Sequence, residues 1–148
     1  MLIEGDAFYG FLHRGAIAPW LQEANSQNTV VTQAAASAAG RFAAGAFTTV
    51  YDGVVGPWFL PDFAVATGLN RLEYVVLLPS VEQCVTRVST RHGHGFTDEA
   101  ATRHMHAQFA SASIDQRHLI IDPPDQAEAT ADQIMTALAA GSLAYSAL

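Results

Sequence analysis

Short runs of β-branched and aromatic residues alternate with longer helix-forming stretches along the whole chain, and this alternation decides the fold class. Leu2 to Glu4 reads as a very short strand closed by Gly5-Asp6, with Met1 leaving almost no room before it. Phe47-Thr48-Thr49-Val50-Tyr51 reads as a second strand that runs into an Asp52-Gly53 turn. Leu72 to Leu78 is a third, and its unbroken Tyr-Val-Val-Leu-Leu suits a strand buried on both faces of a parallel sheet. His118-Leu119-Ile120-Ile121 is the last, ended by Asp122-Pro123-Pro124. Between these lie helical segments. The Ala-rich stretch from Trp20 to Ala44 carries Val30, Val31, Ala34, Ala38 and Phe42 at helical spacing and stops at Gly45. Pro57 and Pro61 flank Trp58-Phe59-Leu60, and a short helix runs up to Thr67 before Gly68. Ser80 caps an amphipathic helix with Val81, Cys84, Val85 and Val88 on one side, ending near His92-Gly93. A further helix opens at Thr97 and runs to Phe109, and another covers Asp125 to Ala140, stopped by Gly141, with the last seven residues left to fray. With neither repeats nor a linker, strand and helix in alternation predict right-handed crossovers. The expected fold is one α/β domain over residues 1–148, a parallel sheet with helices on both faces.

A chain of 148 residues can remove roughly 70% of its unfolded surface from water, so it can hold a core. Its formal charge of -7 repels nucleic acid and anionic membrane surfaces, which excludes both as general partners. The apolar run from Tyr74 to Leu78 falls far short of the roughly 20 residues that a membrane span needs. No basic segment followed by an apolar stretch opens the chain, and with the single Cys84 a cytoplasmic location is expected. All seven cations are arginines, so lysine chemistry is excluded.

In open parallel sheets ligands bind beyond the carboxyl ends of the strands, where Asp6 and Asp52 are expected to share one rim. Carboxylates there can accept a substrate proton or hold magnesium through water; they can also simply cap turns. Arg87 and Arg91, four apart on one helical face, make a clamp for phosphate or carboxylate, or else a solvated face with ion pairs. His92-Gly93-His94-Gly95 supplies a hinge of the kind that lids use, so that residues 87–110 read as a lid. His104 and His106 are two apart on a helix and cannot chelate one ion together. Cys84 reads as core. Tyr9, Phe11, His13, Arg14 and Trp58 are candidates to shape the pocket of a small-molecule substrate.

Three segments and the arginine helix, in this order and spacing, resemble the small P-loop kinases. The segments are Ile3-Glu4-Gly5-Asp6-Ala7-Phe8, Val50-Tyr51-Asp52-Gly53-Val54-Val55-Gly56-Pro57 and Tyr74-Val75-Val76-Leu77-Leu78-Pro79. The group includes adenylate, gluconate, shikimate and chloramphenicol phosphotransferases and ATP-binding proteins near them, and the resemblance runs from residue 1 to about 140. It implies a three-layer αβα fold, with ATP and Mg2+ as cofactors and a small hydroxyl-bearing acceptor. Asp6 would contact or deprotonate the acceptor hydroxyl, and Asp52 would hold magnesium through water. Arg87 and Arg91 would be lid arginines that neutralise the transferring phosphoryl group. Asp122 and Pro123, with Pro124, would surround the adenine. The chain departs from the pattern in having neither Gly-x-x-x-x-Gly-Lys-Ser/Thr nor any lysine.

Roughly 25 residues of that pattern, including the first strand, are expected ahead of Met1. The missing strand is central in the family, between the strands read here at 47–51 and 72–78, and unpaired edges beside it would be sticky. A late start, a sheet completed by a second copy through those edges, and a remnant that binds without catalysis are the three explanations. The resulting expectation is an ATP-dependent phosphotransferase, inactive as this chain without the phosphate loop. The alternative is a non-catalytic binding or self-associating protein that uses the arginine clamp.

Overall fold

The structure, a computed structural model, describes residues 1–90 and 96–147. Its elements run β1 (Leu2–Glu4), α1 (Asn25–Ala44), β2 (Val50–Asp52), α2 (Leu60–Thr67), β3 (Arg71–Glu73), β4 (Val76–Leu78), α3 (Val81–Thr90), α4 (Glu99–Ser111), β5 (Leu119–Ile121), α5 (Ala127–Ala139) and β6 (Ala144–Ser146). Helix and strand mix as expected of an α/β chain. The strands of the described residues form three pairs, β1 with β2, β3 with β6, and β4 with β5. Two compact units result, Met1–Leu72 with the segment from Ser146, and Glu73–Tyr145.

In the first unit β1 and β2 are parallel, with Leu2 opposite Val50, Ile3 opposite Tyr51 and Glu4 opposite Asp52. Val50 N–H donates to Met1 O at 2.8 Å. Phe47, Thr48 and Thr49 stay outside the strand, contrary to the sequence reading. Ala46 takes a left-handed φ of 66°, and the Phe47 ring turns back edge-on to Phe42, 6.1 Å away. The long helix also starts later than Trp20, at Asn25, after a single 3₁₀ turn over Gln22–Ala24.

The buried face of α1 is Val31, Thr32, Ala35, Ala36, Ala39 and Gly40. The stripe expected from Val30, Ala34 and Ala38 is not the core face, and Val30 is 66% exposed. Close approach of α2 explains the difference. A Cβ on Gly40 would stand 2.6 Å from the Thr67 carbonyl carbon, closer than a Cβ can sit, so glycine alone lets the two helices meet here. Ser37 Oγ also donates to Ala66 O at 3.1 Å. Helix α2 ends as expected, with Gly68 at φ 69° stopping it, and carries Pro61 in its first turn.

In the second unit β4 and β5 are parallel, pairing Val76 with Leu119 and Leu78 with Ile121. The run from Leu72 to Leu78 is not one doubly buried strand. It breaks at Tyr74-Val75 into β3 and β4, and Leu77 is 43% exposed. The C-terminal segment, expected to fray, causes the break: Tyr74 N–H donates to Leu143 O at 2.9 Å, and Leu143 is 2% exposed. Tyr74 O is also 3.0 Å from Nδ1 of the buried His118, so Nδ1 carries the proton there. The rings of Tyr74, His118 and Tyr145 pack together at centroid distances of 5.6 to 6.5 Å.

Helix α3 opens with a reciprocal cap, Gln83 N–H donating to Ser80 Oγ at 3.3 Å and Ser80 N–H to Gln83 Oε1 at 3.2 Å. Asp98, rather than Thr97, caps α4 by accepting from Ala101 N at 2.9 Å. Helix α5 starts two residues after Asp125, and Gly141 at φ 68° ends its last turn.

Gly40→Ala is expected to lower the unfolding free energy by about 1–2 kcal/mol, overpacking against Thr67 outweighing the helix propensity gained. Gly10, whose Cβ would meet nothing within 4 Å, is the control, and Gly10→Ala should move stability by less than about 0.5 kcal/mol. Urea denaturation of both variants checks this.

Candidate functional site at a strand-end rim

Because β1 and β2 run parallel and end together at Glu4 and Asp52, everything that follows directly after them collects on one edge. Asp6 is two residues past the end of β1, in the 3₁₀ segment Gly5–Phe11. Asp52 closes β2. The sequence reading thus placed both acids correctly on the carboxyl edge of neighbouring strands.

Tyr51 fills the space between them. Its ring lies across two glycines, each the residue after a strand. A Cβ on Gly5 would collide with the Tyr51 hydroxyl and stand 2.7 Å from Cζ, and one on Gly53 would stand 2.9 Å from Oη. Edge-on contact with Phe63, 4.8 Å between centroids, fixes the ring from behind. Burial, followed by the nearby Tyr9, Asp6 and Asp52, pushes the Tyr51 phenol up to about 12. Tyr9 is also raised, by burial first and by Asp6 second, with the Thr32 hydroxyl working the other way. The Tyr9 hydroxyl donates to Asn28 Oδ1 at 3.1 Å, and Asn28 Nδ2 donates in turn to Pro19 O at 2.7 Å. Asn28 therefore presents its carbonyl oxygen to Tyr9.

The structure thus joins Asp6, Tyr9, Tyr51 and Asp52. Tyr51, Asn28 and Thr32 were missed from sequence, where Tyr51 read as a strand residue and the other two as helix formers. The available signal was a large phenol one residue before an Asp-Gly at a strand end, with a second Gly after the partner strand. Of the other candidates in this unit, Phe11 is 71% exposed, edge-on to Phe8 at 5.6 Å, and His13 and Arg14 are exposed. Trp58 is 42% exposed and packs edge-on to Phe59 at 6.3 Å.

Arg87, Asp122 and Pro123 belong to the second unit, and Arg91 with His92-Gly93-His94-Gly95 lies outside the described residues. Arg87 Nη2 is 3.3 Å from Asp125 Oδ1, which also accepts from Gln83 Nε2 at 3.3 Å, on an exposed face. Arg103 pairs with Glu99 at 3.0 Å and lies 3.8 Å from Glu82. Arg103 thus finds acids near it in the sequence, and Arg87 finds one 38 residues away. Cys84, expected in the core, is only half-buried; burial raises its thiol and Arg87 opposes that. His106 Nε2 sits 2.9 Å from Pro79 O, tying α4 to the start of α3. Asp122, at a left-handed φ of 45°, prolongs the β4–β5 pairing through its N–H to Leu78 O at 3.0 Å, and Pro123 is buried.

Oxygen donors at the rim suit a hard cation such as magnesium held through water. Among the described residues no group of three or more His, Cys, Asp or Glu side chains could hold a metal ion directly. For the phosphates of ATP the fit is poor, since the chain has no lysine. Among the described residues no helix is long and apolar enough to cross a membrane. Compared with models of known protein families and with curated proteins, the chain matches none.

Two measurements follow. Tyr51 and Tyr74 both ionise near 12 in the folded protein against 10 in the unfolded chain. Above pH 10 the unfolded state loses those protons first, so stability should fall as pH rises from 10 to 12 and level beyond. Urea midpoints across that range, with Tyr51→Phe flattening the fall, check it. Arg87→Ala should change stability by less than about 1 kcal/mol, because its pair with Asp125 is exposed on both sides.

Proposed function

We propose that this chain is the acceptor-binding part of an ATP-dependent phosphotransferase with the three-layer αβα fold of the small P-loop kinases. Its substrate would be a small hydroxyl-bearing molecule, and phosphoryl transfer would depend on a phosphate-loop segment that these 148 residues do not contain. The rim carries the reading: parallel, in-register strands bring Asp6 and Asp52 to one carboxyl edge, where ligands of open α/β sheets bind. Asp6 would take the proton of the acceptor hydroxyl, and Asp52 would hold Mg2+ through water. The rival reading, a binding protein built on an arginine anion clamp, is weakened by Arg87, which already pairs with Asp125.

ATP supplies the phosphoryl group in such a reaction, and its phosphates find no cradle in this chain. The test is therefore calorimetric titration of ATP with Mg2+ into the chain as it stands and into one extended by the in-frame upstream sequence. The extended protein should bind in the micromolar range, of order 10 µM, and the short one should not. Failure of both ends the phosphotransferase reading. In the extended protein, Asp6→Asn should lower ADP release with a panel of sugars and cyclitols by about 10²- to 10⁴-fold while nucleotide binding persists.

A further inference from the structure

We propose that the free edge of β1 is a docking site for an extended peptide segment of a partner protein, one that carries an apolar side chain and a basic one. The proposal goes beyond the phosphotransferase reading and does not depend on it. A trough of about 310 Å3 lies between β1, the 3₁₀ segment after it and α1, a size at the low end of ligand pockets. Residues 1–4 all line it. Successive strand side chains point to opposite faces, so a trough that meets consecutive residues runs along the edge of the strand. It is also lined by Phe8 and by Ala38 and Phe42, one turn apart on α1. Both α1 residues belong to the stripe read from sequence as core, and neither is among the buried residues of the helix.

The backbone at that edge selects an extended chain as the occupant. Among the described residues β1 has a ladder on one side only, with β2. Val50 N–H donates to Met1 O, and in that register the ladder takes the N–H and C=O of Ile3, leaving those of Leu2 on the opposite edge. Leu2 makes no backbone hydrogen bond there among the described residues. An added strand satisfies both groups, its N–H donating to Leu2 O and its C=O accepting from Leu2 N–H. Charge narrows the composition of that strand. Glu4 is exposed at the trough and makes no ion pair among the described residues, while the Met1 ammonium is turned to Thr48 O at 2.6 Å. A guanidinium or ammonium of the partner complements Glu4, and the net charge of -7 repels an acidic segment.

The probes are blocked hexapeptides of one apolar sequence with arginine, glutamine or glutamate at a single position, titrated into isotope-labelled protein. The arginine peptide should shift the amide resonances of Leu2 and Glu4, with a Kd of order 100 µM. The glutamate peptide should bind at least about fivefold more weakly. N-methylating one set of alternate peptide nitrogens should weaken binding by about tenfold and the other set should leave it unaltered, since an added strand turns every second N–H toward β1. Glu4→Lys, at an exposed side chain, should reverse the preference in favour of the glutamate peptide, and Ala38→Leu, which fills the trough, should weaken all three. If Ala38→Leu does not fold, Glu4→Lys and the N-methylated peptides carry the test. Sedimentation should show a monomer at the concentrations titrated. Equal affinity for the arginine and glutamate peptides, equal affinity for the two N-methylated sets, no shift at millimolar peptide, or a dimer that Glu4→Lys or Ala38→Leu dissociates each overturns the proposal.

Discussion

The register of one short parallel ladder underlies the rest of the candidate site. Leu2–Glu4 and Val50–Asp52 are each three residues long, and a slip of one residue would turn every side chain to the opposite face. Tyr51 would then leave Phe63 and the glycine notch, and Glu4 would no longer stand opposite Asp52. So few ladder bonds cannot hold that register alone. It is secured from outside by the buried Ile3, by Phe63 against the Tyr51 ring, and by the small-residue face of α1 on which α2 rests.

The electrostatics of the rim follow from the same geometry. Bringing two strand ends together gathers carboxylates, and carboxylates resist the ionisation of any phenol beside them. Tyr51 stays protonated well beyond the working pH of ordinary proteins, as a donor among acceptors. Asn28, anchored on Pro19, accepts from the hydroxyl of Tyr9, while that of Tyr51 packs against Gly5 and Gly53.

Features that a few adjacent residues decide were legible in the sequence. Gly68 and Gly141 stop helices at left-handed φ, Ser80 caps α3, and Asp6 and Asp52 fall at strand ends. Features that depend on a distant partner were not. Ala34 and Ala35 are chemically identical, and only the approach of Thr67 to Gly40 selects the face containing Ala35. The hydrophobic run through Tyr74 is broken by Leu143, nearly 70 residues later, and no local pattern encodes that. Whether Arg87 was a clamp or an ion-paired surface residue stayed open because its acid, Asp125, lies 38 residues along the chain. Tyr51 was hidden for a related reason: strand propensity explains a tyrosine there, and only the two glycines reaching it from separate strands give its hydroxyl a position.

The exposure of the strands bears on how such a chain would work. Parallel strands are ordinarily covered on both faces, yet Leu2, Val50, Leu77 and Ile121 are 43–65% exposed, and each parallel pair has two members among the described residues. The rim is built on two strands, because it needs only the ends of β1 and β2. Holding a triphosphate asks for more: a run of backbone amides pointing at one locus, which is the property of a loop between a strand and a helix N-terminus. The β1-to-α1 connection does not provide it, since it spends its length on the 3₁₀ segment bearing Asp6 and Tyr9 and then on the Asn28–Pro19 contact. The strand-end rim therefore rests on the register of β1 and β2 alone, and the connection to α1 adds no run of amides to it.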